Sequence, residues 1–175
     1  VESYQNGKYD EAIEFFEIAS KIDFSLMGRC YMNIADIYYL NKKDLEKSLE
    51  FIDIALNETK DKNILLDLNI KKATILRKNN RVDEALNILN NIPISTQNIN
   101  SQYELFLIYM DSDNCDMAIG IGEDLFIEME EDPTISMKAI SELAFNIALC
   151  FDQKGDLLYN KVIDYLGEEN KTEEL

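Results

Sequence analysis

The sequence predicts an all-α protein: antiparallel helix pairs stacked as a right-handed solenoid. Three observations lead there: a scarcity of helix breakers, small residues that return at the interval of a helix pair, and turn-forming residues at the joints. Of 175 residues only six are Gly and two are Pro, while Leu, Ile, Glu, Lys and Asn dominate. That balance favours helices joined by short turns. The apolar share of 46% is that of an ordinary folded chain, and the length suits a single domain over 1–175.

The repeat is found by register. Gly7-Lys8-Tyr9-Asp10-Glu11-Ala12 is followed by Phe16 and Ala19, four and seven residues after Ala12, which places all three on one helix face. The pattern returns as Asp44-Leu45-Glu46-Lys47-Ser48 with Ile52 and Ala55, and as Arg81-Val82-Asp83-Glu84-Ala85 with Leu89 and Ile92. A fourth copy reads Asn114-Cys115-Asp116-Met117-Ala118, with Gly122 and Leu125. The small residues at 12, 48, 85 and 118 are 36, 37 and 33 positions apart. About twelve residues ahead of each later copy stands a second pair, Ala35 with Tyr38, Ala73 with Leu76, and Phe106 with Tyr109, where Phe106 replaces the small residue. Ala148 and Phe151 form a last such pair before Gly155-Asp156. Each unit therefore reads as helix, short turn, helix, with small residues where the two helices approach closely.

Helices are expected near 8–22, 24–40, 44–58, 62–79, 81–91, 98–111, 114–129, 134–154 and 156–167. They group as a truncated unit over 1–22 and pairs over 24–58, 61–92, 98–129 and 134–167, as in a piece of a longer solenoid. Gly7, Asn41, Asn79-Asn80 and Gly155 stand at helix ends that favour left-handed backbone. Asp44, Asp61 and Asp113 or Asn114 are placed to cap the helices that follow. Pro93 ends one helix, and Pro133 stands at a permitted first-turn position of another. Ile94–Asn98 is the loosest connection.

Composition narrows function. With 34 acidic against 17 basic residues and a formal charge of −17, most of the chain repels nucleic acid and anionic membrane. The charge is uneven: residues 60–81 carry seven basic and two acidic side chains, residues 111–175 four basic and 17 acidic ones. Cys30, Cys115 and Cys150 are far apart, odd in number and outside any C-x-x-C pair, and there is no histidine. Zinc, a disulfide framework and histidine-based catalysis are thereby disfavoured, and a reducing, cytoplasmic setting is expected. Gly120-Ile121-Gly122 lies in a helical pattern with no preceding strand, so it is no phosphate loop; it permits close packing or weakens its helix. Glu130-Glu131-Asp132 lacks the spacing of a calcium loop. No run approaches the ~18 apolar residues of a membrane span. The expectation is a protein that is no enzyme, holds no metal or cofactor and binds other chains.

These motifs resemble the tetratricopeptide repeat, in which a small residue and a large one precede a turn and an A-x3-F segment. Tyr9-Asp10-Glu11-Ala12 and Val82-Asp83-Glu84-Ala85 carry the likeness best, and Pro93 falls where such repeats end. The resemblance implies a concave groove lined by the first helix of each pair. Carried over by register, the groove positions are Arg29, Met32, Asn33, Asp36 and Tyr39 in the second unit, then Asp67, Ile70, Lys71, Thr74 and Arg77 in the third. The fourth contributes Asn100, Tyr103, Glu104 and Met110, and the fifth Glu142, Phe145, Asn146 and Asp152. Asparagines there suit peptide backbone, Arg29, Lys71 and Arg77 suit a carboxylate, and the aromatic residues suit an anchoring side chain.

Helix pairs of this length also look like the cytoplasmic, quorum-sensing peptide regulators of Gram-positive bacteria (Rap, NprR and PlcR type). That likeness implies the peptide-sensing half of a transcriptional regulator, whose helix-turn-helix would lie outside these residues. A general assembly or chaperone-adaptor scaffold is the alternative. The truncated first unit is further expected to leave an apolar edge near Phe15, Phe16 and Phe24, which favours a homodimer or an upstream segment as its cover.

Overall fold

A computed structural model describes residues 7–152. Among them the chain is helical throughout, with eight α-helices: α1 (Tyr9–Ile22), α2 (Met27–Asp36), α3 (Leu45–Glu58), α4 (Lys62–Lys78), α5 (Val82–Asn90), α6 (Ile99–Asp111), α7 (Cys115–Glu131) and α8 (Met137–Phe151). A 3-10 turn, Phe24–Leu26, leads into α2, and a π-helical segment, Ile37–Lys42, extends it. The chain divides into two compact units between Thr96 and Gln97, inside the Ile94–Asn98 connection.

Within each unit the packing follows the helix-pair pattern. In the first, α2 packs on α3 and α4 on α5, as first and second helices of their pairs. The second helix of one pair also meets the first of the next, α1 on α2 and α3 on α4, and α2 touches α4 directly. In the second unit α6 packs on α7 and α7 on α8. The expected final helix at 156–167, with Gly155, lies outside the described residues.

One local device repeats ahead of α1, α3, α5 and α7. Among the described residues those with positive φ are Gly7 (77°), Lys43 (56°), Asn80 (60°) and Asp113 (55°), and each stands five positions before the small residue of a second helix. Left-handed backbone at that point reverses the chain and lets the next amide reach back to the helix just ended. Asp44 then caps α3 by accepting from the Lys47 amide (3.1 Å), and Asn114 caps α7 by accepting from Met117 (3.3 Å). Asp61 accepts from both Asn63 (2.9 Å) and Ile64 (3.2 Å) at the start of α4. Asn98 and Ser101 form a reciprocal capping box at α6.

Two expected boundaries move. The left-handed residue after α2 is Lys43 and not Asn41, because the π segment carries the helix two residues further. The small residues Ala35 and Ser48 are 13 apart, against 12 for Ala73–Ala85 and Phe106–Ala118, and the π segment absorbs the extra residue. Consistently, the Asp44 amide reaches back six residues to the Tyr38 carbonyl, where Arg81 and Asn114 reach back five, to Leu76 and Tyr109. Pro133 is not in the first turn of a helix. Asp132 folds back to accept from the Thr134 amide and hydroxyl (2.8 and 2.7 Å), and α8 begins only after Ser136, which accepts from Ala139.

The small residues are where the helices meet. Ala12, Ser48, Ala85 and Ala118 are at most 1% exposed, as are Ala35 and Ala73. In the second unit the large and small partners are exchanged. Phe106 occupies the small position of α6 and is fully buried, while Gly122 stands in α7 where α1, α3 and α5 carry Phe16, Ile52 and Leu89. A methyl group on Gly122 would come within 3.0 Å of the Phe106 ring and 2.8 Å of Ile147. Gly120 has open space around it, so of the two glycines only Gly122 is required by packing.

Candidate binding site

In the first unit, helices α2 and α4 join two of the predicted groove positions. Lys71 on α4 donates to both carboxylate oxygens of Asp36 on α2, at 2.8 and 3.1 Å, with both side chains partly buried. This pair joins residues 35 apart and fixes the register of the two helices at the face. Tyr39, in the π segment, receives the side-chain amide of Asn79 on its hydroxyl at 3.4 Å. Asn33 is exposed, and its amide donates to the Arg29 carbonyl at 2.7 Å one turn back. Arg29 and Asp67 are exposed, while Arg77 and Thr74 are half-buried. The Thr74 hydroxyl turns to its own helix and donates to the Ile70 carbonyl at 2.9 Å.

The corresponding positions of the second unit are chemically different. Tyr103 is half-buried and packs tilted on Phe106, ring centres 6.1 Å apart. Met110 is half-buried, and Phe145 and Leu149 on α8 are exposed. Asn146 is half-buried. Asn100 is exposed and faces Asn98, Glu128, Asp132 and Ile135 across a shallow hollow of about 280 Å³. Glu104, expected on the groove, is instead only 6% exposed, because α6 turns that position inward.

Two features escape the register argument. Asn79, read only as a helix-end residue, ties Tyr39 to α4, where it also donates to the Ile75 carbonyl at 2.6 Å. An apolar hollow of the first unit, about 440 Å³, lies away from the groove positions. There Leu65, Leu66 and Asn69 of α4 face Ile88 of α5 and the Ile92–Pro93 turn. Its apolar residues look like ordinary core in the sequence, and only the folded arrangement opens a space between them.

The outer side of the same unit is ionic. Arg81 donates to Glu84 at 2.7 and 2.8 Å and lies 3.6 Å from Glu46, and Lys72 pairs with Asp53. The hydrogen bond to Arg81 holds the Glu84 carboxyl below its usual range and raises the guanidinium. Three of the seven basic residues of 60–81, namely Lys71, Lys72 and Arg81, are thus drawn into pairs with α2, α3 and α5.

The cysteines are free thiols, but two of them are neighbours. Cys115 opens α7 and Cys150 lies near the end of α8, so the antiparallel packing brings them into one apolar cluster. Burial, and then the adjoining Cys115 thiol, push the Cys150 thiol up to about 11. Burial likewise raises Cys30, with a smaller contribution from the Asp23 charge. Among the described residues no group of three or more His, Cys, Asp or Glu side chains could hold a metal ion. No helix there is long and apolar enough to cross a membrane.

No family model and no curated protein sequence matches this chain. Solved structures do. The crystal structure of BtubC (BKLC) from P. vanneervenii is similar with a TM-score of 0.72 at 14% identity, over 96% of this chain and 77% of that one. A kinesin light chain from Podosopora anserina with nearly identical TPR-like repeats aligns with a TM-score of 0.66 at 17% identity, over 98% and 92%. YrrB, a TPR protein with an unusual peptide-binding site, aligns with a TM-score of 0.62 at 15% identity, over 93% and 78%. The chain therefore has the all-α, antiparallel helix-pair fold of tetratricopeptide-type repeat structures.

Proposed function

We propose that the protein binds a peptide or the end of a protein chain, with an acidic group seated on the α2–α4 face of the first unit. The observation that carries this is the Asp36–Lys71 pair. A lysine already held between two first helices by one carboxylate is placed to exchange that carboxylate for one from a ligand. In this reading Arg29, Asn33, Asp67, Thr74 and Arg77 hold the other groove positions of α2 and α4, and Asn33 offers an amide to ligand backbone. The likeness to YrrB, whose own site takes peptide, agrees with this class of ligand. In this reading Asn100, Tyr103 and Asn146 serve the second unit, where Tyr103 anchors an apolar side chain. A cytoplasmic sensor that couples a short signalling peptide to transcription is the finer reading we favour. The exposed Phe145 and Leu149 support a second one, a scaffold that takes the apolar face of a partner protein.

A peptide library with free acidic termini, read by fluorescence anisotropy, tests the site. Lys71→Ala and Arg77→Ala should each weaken the selected peptide about tenfold, the scale of one lost charged hydrogen bond. Asp36→Asn should tighten it, because the competing carboxylate is removed. Affinity unchanged in all three variants, with helicity intact, would end this assignment.

A further inference from the structure

The three cysteines are not equivalent in the folded chain. Cys30 lies in the first unit, which has no second cysteine, whereas Cys115 and Cys150 both lie in the second. Cys115 is the first residue of α7 and Cys150 the last but one of α8, so the antiparallel packing of these helices sets the start of one beside the end of the other.

The repeat register accounts for their meeting. Cys115 stands three residues before the small residue Ala118, and Cys150 two residues after the small residue Ala148. Tyr9 and Ile37 hold the same two places around Ala12 and Ala35, and they too share one apolar cluster. In the second unit the shared cluster is that of Phe106, with Cys150 buried in it and Cys115 half-buried against it. The backbones approach closely here. Ala118 and Gly122 on α7 and Ala144 and Ala148 on α8 are all buried, and a methyl group on Gly122 would meet Ile147 at 2.8 Å. The Cys150 thiol feels its neighbour directly. Burial first, and then the Cys115 side chain, push it up to about 11, so that alone it stays protonated and unreactive at neutral pH.

We propose that Cys115 and Cys150 are a redox-active pair that closes to a disulfide when the protein meets a hydroperoxide and reopens to a dithiol reductant. Closure needs the two sulfurs as neighbours and not an open surface, since hydrogen peroxide is little larger than water. The less buried Cys115 sulfur attacks one peroxide oxygen; the O–O bond breaks, and the departing hydroxide takes the thiol proton as water, leaving a sulfenic acid. The Cys150 sulfur then attacks the Cys115 sulfur; the S–S bond forms, the S–O bond breaks, and hydroxide leaves with the Cys150 proton as a second water. Two thiols are thereby oxidised by two electrons and one peroxide is reduced to two waters. The bridge ties the start of α7 to the end of α8. It leaves the α2–α4 face untouched and does not depend on the peptide-binding proposal.

The folded 175-residue protein, treated with hydrogen peroxide, alkylated, digested and read by mass spectrometry, tests the pair. The expected product is a monomer in which the peptides holding Cys115 and Cys150 are linked and Cys30 is a free thiol, with dithiothreitol restoring all three thiols. The oxidised protein should melt at least about 4 °C above the reduced one, because the bridge constrains the unfolded chain. Cys150→Ser should lose the link and accumulate a Cys115 sulfenic acid that dimedone traps, while Cys30→Ser should close as the parent does. A link through Cys30, a link only between two chains, or sulfinic acid at Cys115 of the parent protein without any link overturns the proposal. So does a melting temperature that falls on closure, since the bridge would then have to force the two helices out of place.

Discussion

The two units carry different side chains on one register. At the first-helix positions of the first unit, Asp36 pairs with Lys71, and Tyr39 accepts from Asn79. In the second unit Leu107 and Leu149 stand where Asp36 does, Glu104 and Asn146 where Lys71 does, and Met110 and Asp152 where Tyr39 does. In the interior the large and small partners are exchanged. The first unit keeps alanine on α2 and α4 opposite Ile52 and Leu89, whereas the second sets Phe106 opposite Gly122. Close packing constrains the summed volume across the contact and not the helix that supplies it. The backbone pattern can therefore stay constant while both the surface and the division of volume drift.

The sharpest way to break this comparison is to undo the exchange. Phe106→Ala should cost about 3–5 kcal/mol in urea unfolding, as a large buried ring removed from a tight site does. Gly122→Ala should cost about 1–3 kcal/mol by overpacking against Phe106 and Ile147. Combined, the two should cost clearly less than their sum, because the methyl enters space the ring has left. Strict additivity would show that the contact is not a shared volume. In the first unit, Ser48 stands where the other copies carry alanine, and its buried hydroxyl lacks a hydrogen-bond partner. Ser48→Ala should raise stability by about 1 kcal/mol, and a loss instead would mean that the hydroxyl is satisfied in solution. The smallest effect falls at Gly120, exposed within α7 with room for a side chain. Gly120→Ala should stabilise by about 0.5–1 kcal/mol through the helix propensity of alanine. A thermal melt that falls would contradict the free space found there.

Much of this was open to reading in the sequence, because it depends on local chemistry. Small residues at 12, 48, 85 and 118 marked the helix contacts, and Asp44, Asp61 and Asn114 marked helix starts, since a cap acts on amides two or three residues away. The groove positions followed from the family register, and one pair of them, Asp36 on α2 and Lys71 on α4, is joined by an ion pair. What the sequence hid depends on distance. Nothing near Asp36 announces Lys71, 35 residues on, and Cys115 and Cys150 looked remote until α7 and α8 packed antiparallel. Glu104, read as a groove position, is only 6% exposed, and its burial depends on the helices packed on α6, which its sequence neighbours do not reveal. Pro133 misled because a proline tolerated in a first helical turn fits as well in the Asp132–Thr134 turn that precedes a helix.

The π segment at Ile37–Lys42 bears on how such chains change length. A residue added inside a packed α-helix rotates everything beyond it by about 100°, and would turn the buried face toward water. Here the surplus residue is confined to one wide turn, and Lys43 reverses the chain where its counterparts do. Insertion has in effect been reduced to a local bump, leaving Ser48, Ile52 and Ala55 in phase with the copies that lack it. A helix end that can swallow a residue gives the gene a place to gain or lose a codon without losing the protein. Repeats can then differ in length, as these do, while their cores keep time.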